Sequence, residues 1–325
     1  MHKMTSVQQA AQKIRDGRRL SIAGTVEALM QLPKGEWVGG SIPYFMGDEG
    51  GMVANADQVF VTDLSDLGQI SVATYATADI HLVTERAPDN GLSLLILPCG
   101  SSVHRRFAAE APNFKDAFLK PTVGWIAGVH LDDIGKKTPV VIDGRTGEFY
   151  EDRGAVLYLA LPPERLVQVD ILNLFEPESG DVIRFDQTAF TVDACTINGE
   201  PASLSAYVHQ RGLAHGRLPL VGDFAGASIN ASLQTVHADH VDLYAPVFPG
   251  VDYRFAKDLP DYAAAFRERE AHQSVDGVAF SCNCILNYAF GELHGKQIGG
   301  PKGPFTFGEI AYQQLNQTQV TVRLL

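Results

Sequence analysis

The sequence is poor in cysteine, in positive charge and in long apolar runs. Its 325 residues include four cysteines, too few and too scattered to hold a chain of this size together with disulfides. Lys and Arg total 26 against 38 Asp and Glu, and the net charge of -12 argues against a nucleic-acid partner. The longest apolar runs, such as 92–97 and 155–161, are far shorter than the roughly 20 residues that span a bilayer. No apolar segment typical of a secretory signal follows Lys3. We therefore expect a cytoplasmic protein with reduced thiols and no membrane partner.

The local sequence signals combine helices with many short strands. Ser6 and Gln9 form a capping box before a helix whose apolar residues recur at the helical spacing from Val7 to Ile14. Further helices are predicted from Thr25, over 101–119, over 201–210, from Asp258 to His272, and from 284 to 293. Strands are predicted at 58–62, 69–77, 79–84, 92–97, 122–131, 139–142, 155–161, 166–172, 181–184, 189–198, 218–221, 228–237, 241–247 and 278–281.

The order of these elements indicates an α+β fold. Helices and strands come in clusters rather than in strict alternation, which favours two lobes of mixed or antiparallel sheets covered by helices. A polar, turn-rich stretch at 175–180 indicates a connector between the lobes. We place an amino-terminal lobe with a helical start at 1–170 and a carboxyl-terminal lobe at 171–325.

Three segments, at 37–46, 280–288 and 305–312, carry aromatic or thiol side chains and are candidates for a ligand pocket, and the first and the last also contain glycine. The alternatives are a tight turn at 37–46, a packed strand-to-helix corner at 280–288, and a structural carboxylate at Glu309 that accepts backbone N–H groups of its loop. The predicted ligand-binding residues are Gly40, Ser41, Tyr44, Cys282, Cys284, Asn287, Phe307, Glu309 and Tyr312.

Cys99 and His104 are the weaker candidates for catalysis. Cys99 precedes a predicted helix, whose free N–H groups would lower the pKa of the thiol, and His104 could then act as a base. In the alternative interpretation, Ser101 or Ser102 caps that helix and Cys99 is a small buried residue.

Metal and cofactor sites are not predicted. The glycine-rich segments contain neither a dinucleotide fingerprint nor a P-loop. A histidine and carboxylate metal site could form from His237-Ala-Asp-His240 together with Asp242. The preferred interpretation of this segment is a solvated hairpin tip between two strands. The same half of the chain also contains His209 and His215.

Five segments, at 278–282, 303–310, 191–207, 316–318 and 38–41, together resemble the FIST sensory domain, a module of signal transduction proteins. The segment 278–282 resembles the family's strand that ends in Phe-Ser-Cys, and 303–310 resembles its late Gly-Glu-Ile element. The stretch 191–207, which contains Asn198-Gly-Glu-Pro-Ala202, resembles the opening of the family's carboxyl-terminal half, and 316–318 resembles its Asn-x-Thr element. The segment 38–41 resembles its first glycine-rich strand end more loosely.

The resemblance implies binding and sensing of a small molecule, an amino acid or a related metabolite, and implies no reaction. Because no output segment is apparent, a signal would pass to a separate signalling protein. The alternative function is a cysteine-dependent hydrolase or transferase that uses Cys99 and His104. Ligand identity and oligomeric state are not defined at this level.

Overall fold

The fold, seen in a computed structural model, is built mainly from short strands. The structure describes residues 2–224, 226–271 and 275–325. In these ranges no helix is long and apolar enough to cross a membrane. The α-helices are α1 (Val7–Arg15), α2 (Val26–Leu29), α3 (Leu82–Glu85), α4 (Ser102–Glu110), α5 (Leu204–Gln210), α6 (Tyr262–Glu270) and α7 (Ile285–Phe290).

The strands alternate with these helices in clusters along the chain. They are β1 (His2–Ser6), β2 (Leu20–Gly24), β3 (Trp37–Ser41), β4 (Tyr44–Met46), β5 (Gly51–Val53), β6 (Gln58–Asp63), β7 (Gln69–Ala76), β8 (Gly91–Pro98), β9 (Thr122–Ala127), β10 (Val141–Asp143), β11 (Glu148–Tyr150), β12 (Arg153–Ala160), β13 (Val167–Asn173), β14 (Ile183–Arg184), β15 (Ala189–Val192), β16 (Ala194–Ile197), β17 (Glu200–Ser203), β18 (Leu220–Phe224), β19 (Ala227–Ala231), β20 (Leu233–Val236), β21 (Val241–Val247), β22 (Asp252–Phe255), β23 (Val278–Cys284), β24 (Phe305–Thr306), β25 (Glu309–Ala311), β26 (Gln313–Leu315) and β27 (Thr318–Leu324).

The strands form several separate sheets, most of whose pairs are antiparallel. The strand orders are β1-β6-β2-β3-β10-β11, β26-β25-β9-β8-β12-β7, β13-β27-β23-β24, β17-β16-β14-β22-β18-β19, β15-β21-β20 and β4-β5. Parallel pairs occur between β2 and β3, between β8 and β9, and between β23 and β24. The predicted α+β class with mixed and antiparallel sheets is confirmed.

The last strands of the chain complete sheets that begin in its first half. β25 pairs with β9, so that Glu309 lies opposite Trp125. β27 pairs with β13, so that Leu324 lies opposite Val167. One apolar core includes buried residues of both halves, whereas Ile183 to Phe255 supply a core of their own. Backbone pairing therefore crosses the predicted division at 170/171.

The first helices follow the signals in the sequence. The capping box of α1 is confirmed, since Ser6 Oγ accepts from Gln9 N at 3.2 Å and the Gln9 side chain accepts from Ser6 N at 3.3 Å. Thr25 caps α2, which is shorter than predicted. The opening 32 residues are not wholly helical, because they also contain β1 and β2, which pair with β6 on either side.

Several element predictions are wrong in whole or in part. Residues 201–203 of the helix predicted over 201–210 belong instead to β17, which pairs with β16. The segment 79–84 forms helical turns rather than a strand: Ile80 and Val83, both fully buried, lie three residues apart on one helical face. Asp261 rather than Asp258 caps α6, and its side chain accepts from Ala264 N at 2.8 Å. The predicted helix end at His272 lies outside the described residues.

Candidate functional site

The corner between β23 and α7 is the centre of the candidate site. Cys284 is the last residue of the strand and the residue before the helix, as predicted. The Asn283 side chain holds the corner, because its Oδ1 accepts from Cys284 N at 2.7 Å and from Asn287 Nδ2 at 3.0 Å. The position of the Cys284 thiol is therefore fixed by a buried amide pair.

Glu309 lies against this corner from the neighbouring sheet. Its side chain is fully buried, and Oε2 accepts from Thr318 Oγ1 at 2.7 Å and from Thr318 N at 3.2 Å. Oε1 has no partner of normal hydrogen-bond geometry among the described residues, although the Cys284 thiol interacts with the same carboxyl group. Glu309 thus accepts a hydrogen bond from a backbone N–H group, as in the structural interpretation of the sequence, and its carboxyl group also interacts with the Cys284 thiol.

Burial dominates the electrostatics of this pair. Desolvation raises the pKa of Glu309 to about 8, although the hydrogen bonds from Thr318 and the contact with Cys284 act to lower it. Desolvation, followed by the charge of Glu309, raises the pKa of the Cys284 thiol well above its usual value. Near neutral pH the carboxyl group is mostly protonated and the thiol keeps its proton, so the pair carries little charge.

A small cavity reaches Cys284 from the outside. Its volume is about 40 Å³, which is room for roughly two or three water molecules. Most of the lining residues are apolar, and Tyr244, Cys284 and Asn316 are the ones with polar side-chain groups. The lining residues are Leu131, Ile134, Tyr244, Cys284, Ile285, Leu286, Ala289, Phe307 and Asn316.

Asn316 has an unusual environment. Its side chain is 1% exposed, yet neither Oδ1 nor Nδ2 has a hydrogen-bond partner among the described residues. Of the neighbouring buried amides, Gln314, Gln317 and Gln319 have partners, whereas Gln313 Oε1 also lacks one among the described residues. Gln314 pairs with His104 Nε2 and the Tyr244 carbonyl. Gln317 pairs with Ser232 Oγ and the Arg217 carbonyl. Gln319 pairs with Asn283 Nδ2 and Glu270 Oε1. A buried amide without partners costs about 1–3 kcal/mol and requires an explanation.

The segment 128–137, which we call the cover segment, forms the outer wall of the cavity. Its one regular feature is a 3-10 turn at Leu131–Asp133. Leu131 N donates to the Tyr44 hydroxyl at 3.0 Å, and the Tyr44 ring stacks on His130 at 5.5 Å. At the start of the cover segment, Gly128 leaves space for the Phe307 ring: an added Cβ would come within 2.2 Å of that ring.

A second cavity lies on the other side of the cover segment. Its volume is about 200 Å³, and its wall includes Ser41, Pro43, His130 and Lys137. Ser41 ties the cover segment to the sheet, because its Oγ donates to the Gly128 carbonyl at 2.9 Å and accepts from Val140 N at 3.0 Å. The cover segment therefore separates two cavities.

The structure brings most of the predicted ligand-binding residues to this region. Cys284 and Phe307 line the smaller cavity, and Ser41 lines the larger one. Asn287 and Glu309 lie behind Cys284 through the contacts described above. Tyr44 contacts the cover segment rather than either cavity.

Three predicted residues have other surroundings. Gly40 lies inside β3, where an added Cβ would come within 2.7 Å of both Ile96 and Trp125. Cys282 is in the core and its thiol donates to the Gly124 carbonyl at 3.4 Å. Tyr312 forms the turn between β25 and β26 with a positive φ of 64°. None of the three lines the described cavities beside the cover segment.

The sequence analysis did not select Asn316 as a site residue. The signal was present as a run of four further amide side chains within 313–319, in a chain segment that the structure buries. Sequence alone does not show which of these amides lacks a partner, because their partners come from distant strands and helices.

Cys99 and His104 have a geometry that suits structure rather than catalysis. Ser101 caps α4, as the alternative interpretation had it. His104 Nδ1 accepts from Gly100 N at 3.0 Å and its Nε2 pairs with Gln314 Oε1 at 2.9 Å, so both ring nitrogens are engaged. Burial lowers the pKa of His104 to about 4 and raises the pKa of Cys99 to about 11. The predicted lowering of the Cys99 pKa is wrong, because desolvation of the thiolate outweighs the effect of the helix terminus.

Comparison with known proteins gives a family without an assigned role. The model of DUF6976, a family of unknown function, matches residues 5–325. No curated protein matches the chain. These findings do not test the resemblance to FIST sensory domains, which stays a prediction.

Proposed function

We propose that this chain, which belongs to the DUF6976 family of unknown function, binds a small polar metabolite between α7 and the cover segment and senses its presence. The observation that carries this proposal is the unpaired amide of Asn316 in the wall of the smaller cavity. Buried amides are nearly always hydrogen bonded, and those that are not are often found where a ligand or water supplies the missing partner.

The lining defines the chemistry of the ligand. Asn316 offers one acceptor and two donor hydrogens, which suits a group that both donates and accepts, such as an amide or a hydroxyl. None of the nine lining residues is charged. A free carboxylate would therefore lie without a cation, so among metabolites related to amino acids an amidated derivative fits better than the free acid.

Binding requires the cover segment to move. The cavity of about 40 Å³ is smaller than a typical ligand site, which measures about 300–1,000 Å³. Leu131 and Ile134 form its outer wall, and Ile134 is 57% exposed, so they are the side chains whose displacement enlarges it. Movement of the same segment would also reshape the larger cavity, which gives a ligand a direct effect on the surface.

The cover segment then provides the sensing element. A ligand that binds only the displaced state shifts the population toward that state, by as much as its affinity differs between the two. The changed surface around His130 and Ile134 is where a separate signalling protein would distinguish the bound form.

A thermal-shift screen tests this proposal. The library pairs free amino acids with the corresponding amides, and we expect amides to raise the melting temperature of the wild-type chain. Asn316→Leu should abolish the shift, whereas Asn55→Leu, a change at an exposed asparagine, should leave it intact. A shift that survives Asn316→Leu would place the ligand elsewhere, and the absence of any stabilising compound in either set would refute binding of this chemical class.

A further inference from the structure

The hairpin of β20 and β21 carries a second group of potential ligand atoms, far from Cys284 in the sequence. The turn between the two strands is closed by a hydrogen bond from His237 N to the His240 carbonyl at 2.9 Å. The predicted hairpin tip at His237–His240 is therefore confirmed. The two imidazole rings stack with centroids 4.2 Å apart and an angle of 19° between their planes.

Three potential ligand atoms of the hairpin lie close together. His237 Nε2 is 3.1 Å from Asp242 Oδ2, and His240 Nε2 is 4.0 Å from the same oxygen. Ligand atoms of the three side chains all lie within 4.8 Å of one another. Tetrahedral zinc with bonds of about 2.0–2.1 Å places neighbouring ligand atoms roughly 3.3 Å apart. The three side chains are partly exposed, so they need only small rotations to reach such positions.

His240 and Asp242 each already form a hydrogen bond through the side-chain atom that would not bind the ion. His240 Nδ1 pairs with Asp239 Oδ1 at 2.7 Å, and Thr191 Oγ1 donates to Asp242 Oδ1 at 2.6 Å. A carboxylate on the far ring nitrogen is the usual arrangement for a metal-binding histidine, because it fixes the tautomer and orients the other nitrogen toward the ion. This arrangement leaves Asp242 Oδ2 within 4.0 Å of the Nε2 atoms of both histidines.

Side chains of α5 also hold the hairpin in place. Ser205 Oγ donates to the His237 carbonyl, and His209 Nε2 lies 3.3 Å from the same oxygen. Both side chains come from α5, so the helix anchors the turn that carries the first ligand. A site with ligands on a tight turn and on an adjoining strand needs little ordering when an ion binds.

We propose that His237, His240 and Asp242 bind a divalent transition-metal ion of the zinc class, with the remaining coordination positions open to solvent. Two imidazoles and one carboxylate suit zinc, cobalt or nickel better than magnesium or calcium, which prefer oxygen ligands alone. The site shares no residue with the cavity at Asn316, so it stands or falls independently of the proposed small-molecule binding.

Cobalt is the most direct probe, because its visible absorption reports ligand number and geometry. Untagged, full-length chain is stripped with a chelator and titrated with Co²⁺, and the bound ion is then displaced with Zn²⁺. We expect one ion per chain. His237→Ala and His240→Ala should each weaken binding by at least roughly 100-fold, and Asp239→Asn by roughly 10-fold through its effect on His240. His215→Ala, an exposed histidine of the same half, is the matched control and should bind like the wild type.

The outcomes separate a metal site from surface ion pairs. Loss of binding in the ligand variants with unchanged circular dichroism supports the proposal, because it excludes unfolding as the cause. Equal binding by the wild type and the His237→Ala, His240→Ala double variant would overturn it, as would the absence of a Co²⁺ spectrum in the wild type. In either case the histidines would be ordinary partners of Asp239 and Asp242.

Discussion

The Cys284 thiol and the Glu309 carboxyl group interact where the end of β23 meets the start of β25. Glu309 is fully buried and Cys284 is 1% exposed. Thr318 Oγ1 donates a hydrogen bond to Oε2 of the Glu309 carboxyl group. Since the pKa of Glu309 is raised to about 8, the carboxyl group is mostly neutral at pH 7. The site behind the smaller cavity therefore becomes charged only in mildly alkaline conditions, and several measurable properties depend on that change.

Stability should fall with rising pH because of Glu309. In the unfolded chain the carboxyl group ionises near its ordinary value of 4.5, whereas in the folded chain it keeps its proton until about pH 8. The folded state therefore binds more protons between these values, and its contribution is greatest below about pH 4.5. We expect the free energy of unfolding of the wild type, relative to Glu309→Gln, to decline by about 1.4 kcal/mol per pH unit within the window. Urea denaturation at intervals between pH 5 and about 8 measures it.

The difference between the wild type and Glu309→Gln removes the contributions of other titrating groups. Glu270, whose pKa is also raised, and His104, whose pKa is lowered, are present in both proteins. Parallel pH profiles for the two proteins would show that Glu309 ionises normally in the folded chain.

Asn316→Leu should make the folded chain more stable. The change removes two buried polar atoms that have no hydrogen-bond partner among the residues that the structure describes, and it keeps a similar volume. We expect a gain of about 1 kcal/mol in the free energy of unfolding, together with the loss of ligand binding.

Asn230→Leu provides the contrasting control. Asn230 is equally buried but its amide exchanges hydrogen bonds with Asn173 and donates to the Asn316 carbonyl at 3.1 Å. Its replacement should cost roughly 2 kcal/mol, since it leaves those partners unpaired. If both variants lost stability equally, Asn316 would have partners in solution that make it an ordinary core residue.

Tyr44→Phe should loosen the cover segment without disturbing the core. The hydroxyl accepts the hydrogen bond from Leu131 N, while the ring remains to stack on His130 and to pack at a tilt against Tyr288. We expect faster amide hydrogen exchange over 128–137 and a loss of about 0.5–1.5 kcal/mol.

Tyr158→Phe is the matched control for that exchange measurement. Its hydroxyl is hydrogen bonded to Tyr75 at 2.7 Å in a different apolar cluster. The control should leave exchange over 128–137 unchanged. If Tyr44→Phe also left it unchanged, Tyr44 would not be what holds the cover segment.

Cysteine alkylation at neutral pH should be slow throughout the folded chain. With a pKa of about 11, Cys99 carries roughly 300-fold less thiolate near pH 7 than a free thiol of pKa about 8.5, and its alkylation should be slower by a factor of about that size. Cys282 and Cys284 are also buried and their pKa values are raised. Mass spectrometry after iodoacetamide treatment measures each site, and the same chain in concentrated urea, where all four thiols should react, is the control. Rapid labelling of Cys99 in the folded chain would revive the hydrolase alternative.

The sequence predicted those parts of the fold that depend on local chemistry. Ser6 and Gln9 identify the start of α1 because capping depends on residues three apart. The corner at Cys284 and the turn at His237–His240 were likewise visible. By contrast, β2 and β3 form a parallel pair of short strands, rich in glycine and small residues, whose local signal is weak.

The candidate site depended more on distant contacts. Cys284, Phe307 and Glu309 were predicted as site residues from their own segments and lie in one region, but the partner of Tyr44 is in a segment 87 residues away. Asn316 stands out only when the partners of the surrounding amides are known, and the hydrogen bond between His104 and Gln314 spans 210 residues. Such pairings are set by the packing of sheets, which sequence spacing does not encode.

The pairing of β25 with β9 also governs how the protein must fold. The two strands are separated by more than 180 residues, so the sheet that contains β8, β9 and β12 is completed only after the last strands have left the ribosome. Until then β9 presents an unpaired edge, which is a site for wrong association with other chains. Expression yield and chaperone dependence of this protein should therefore respond strongly to changes within 309–315, even where the finished structure tolerates them.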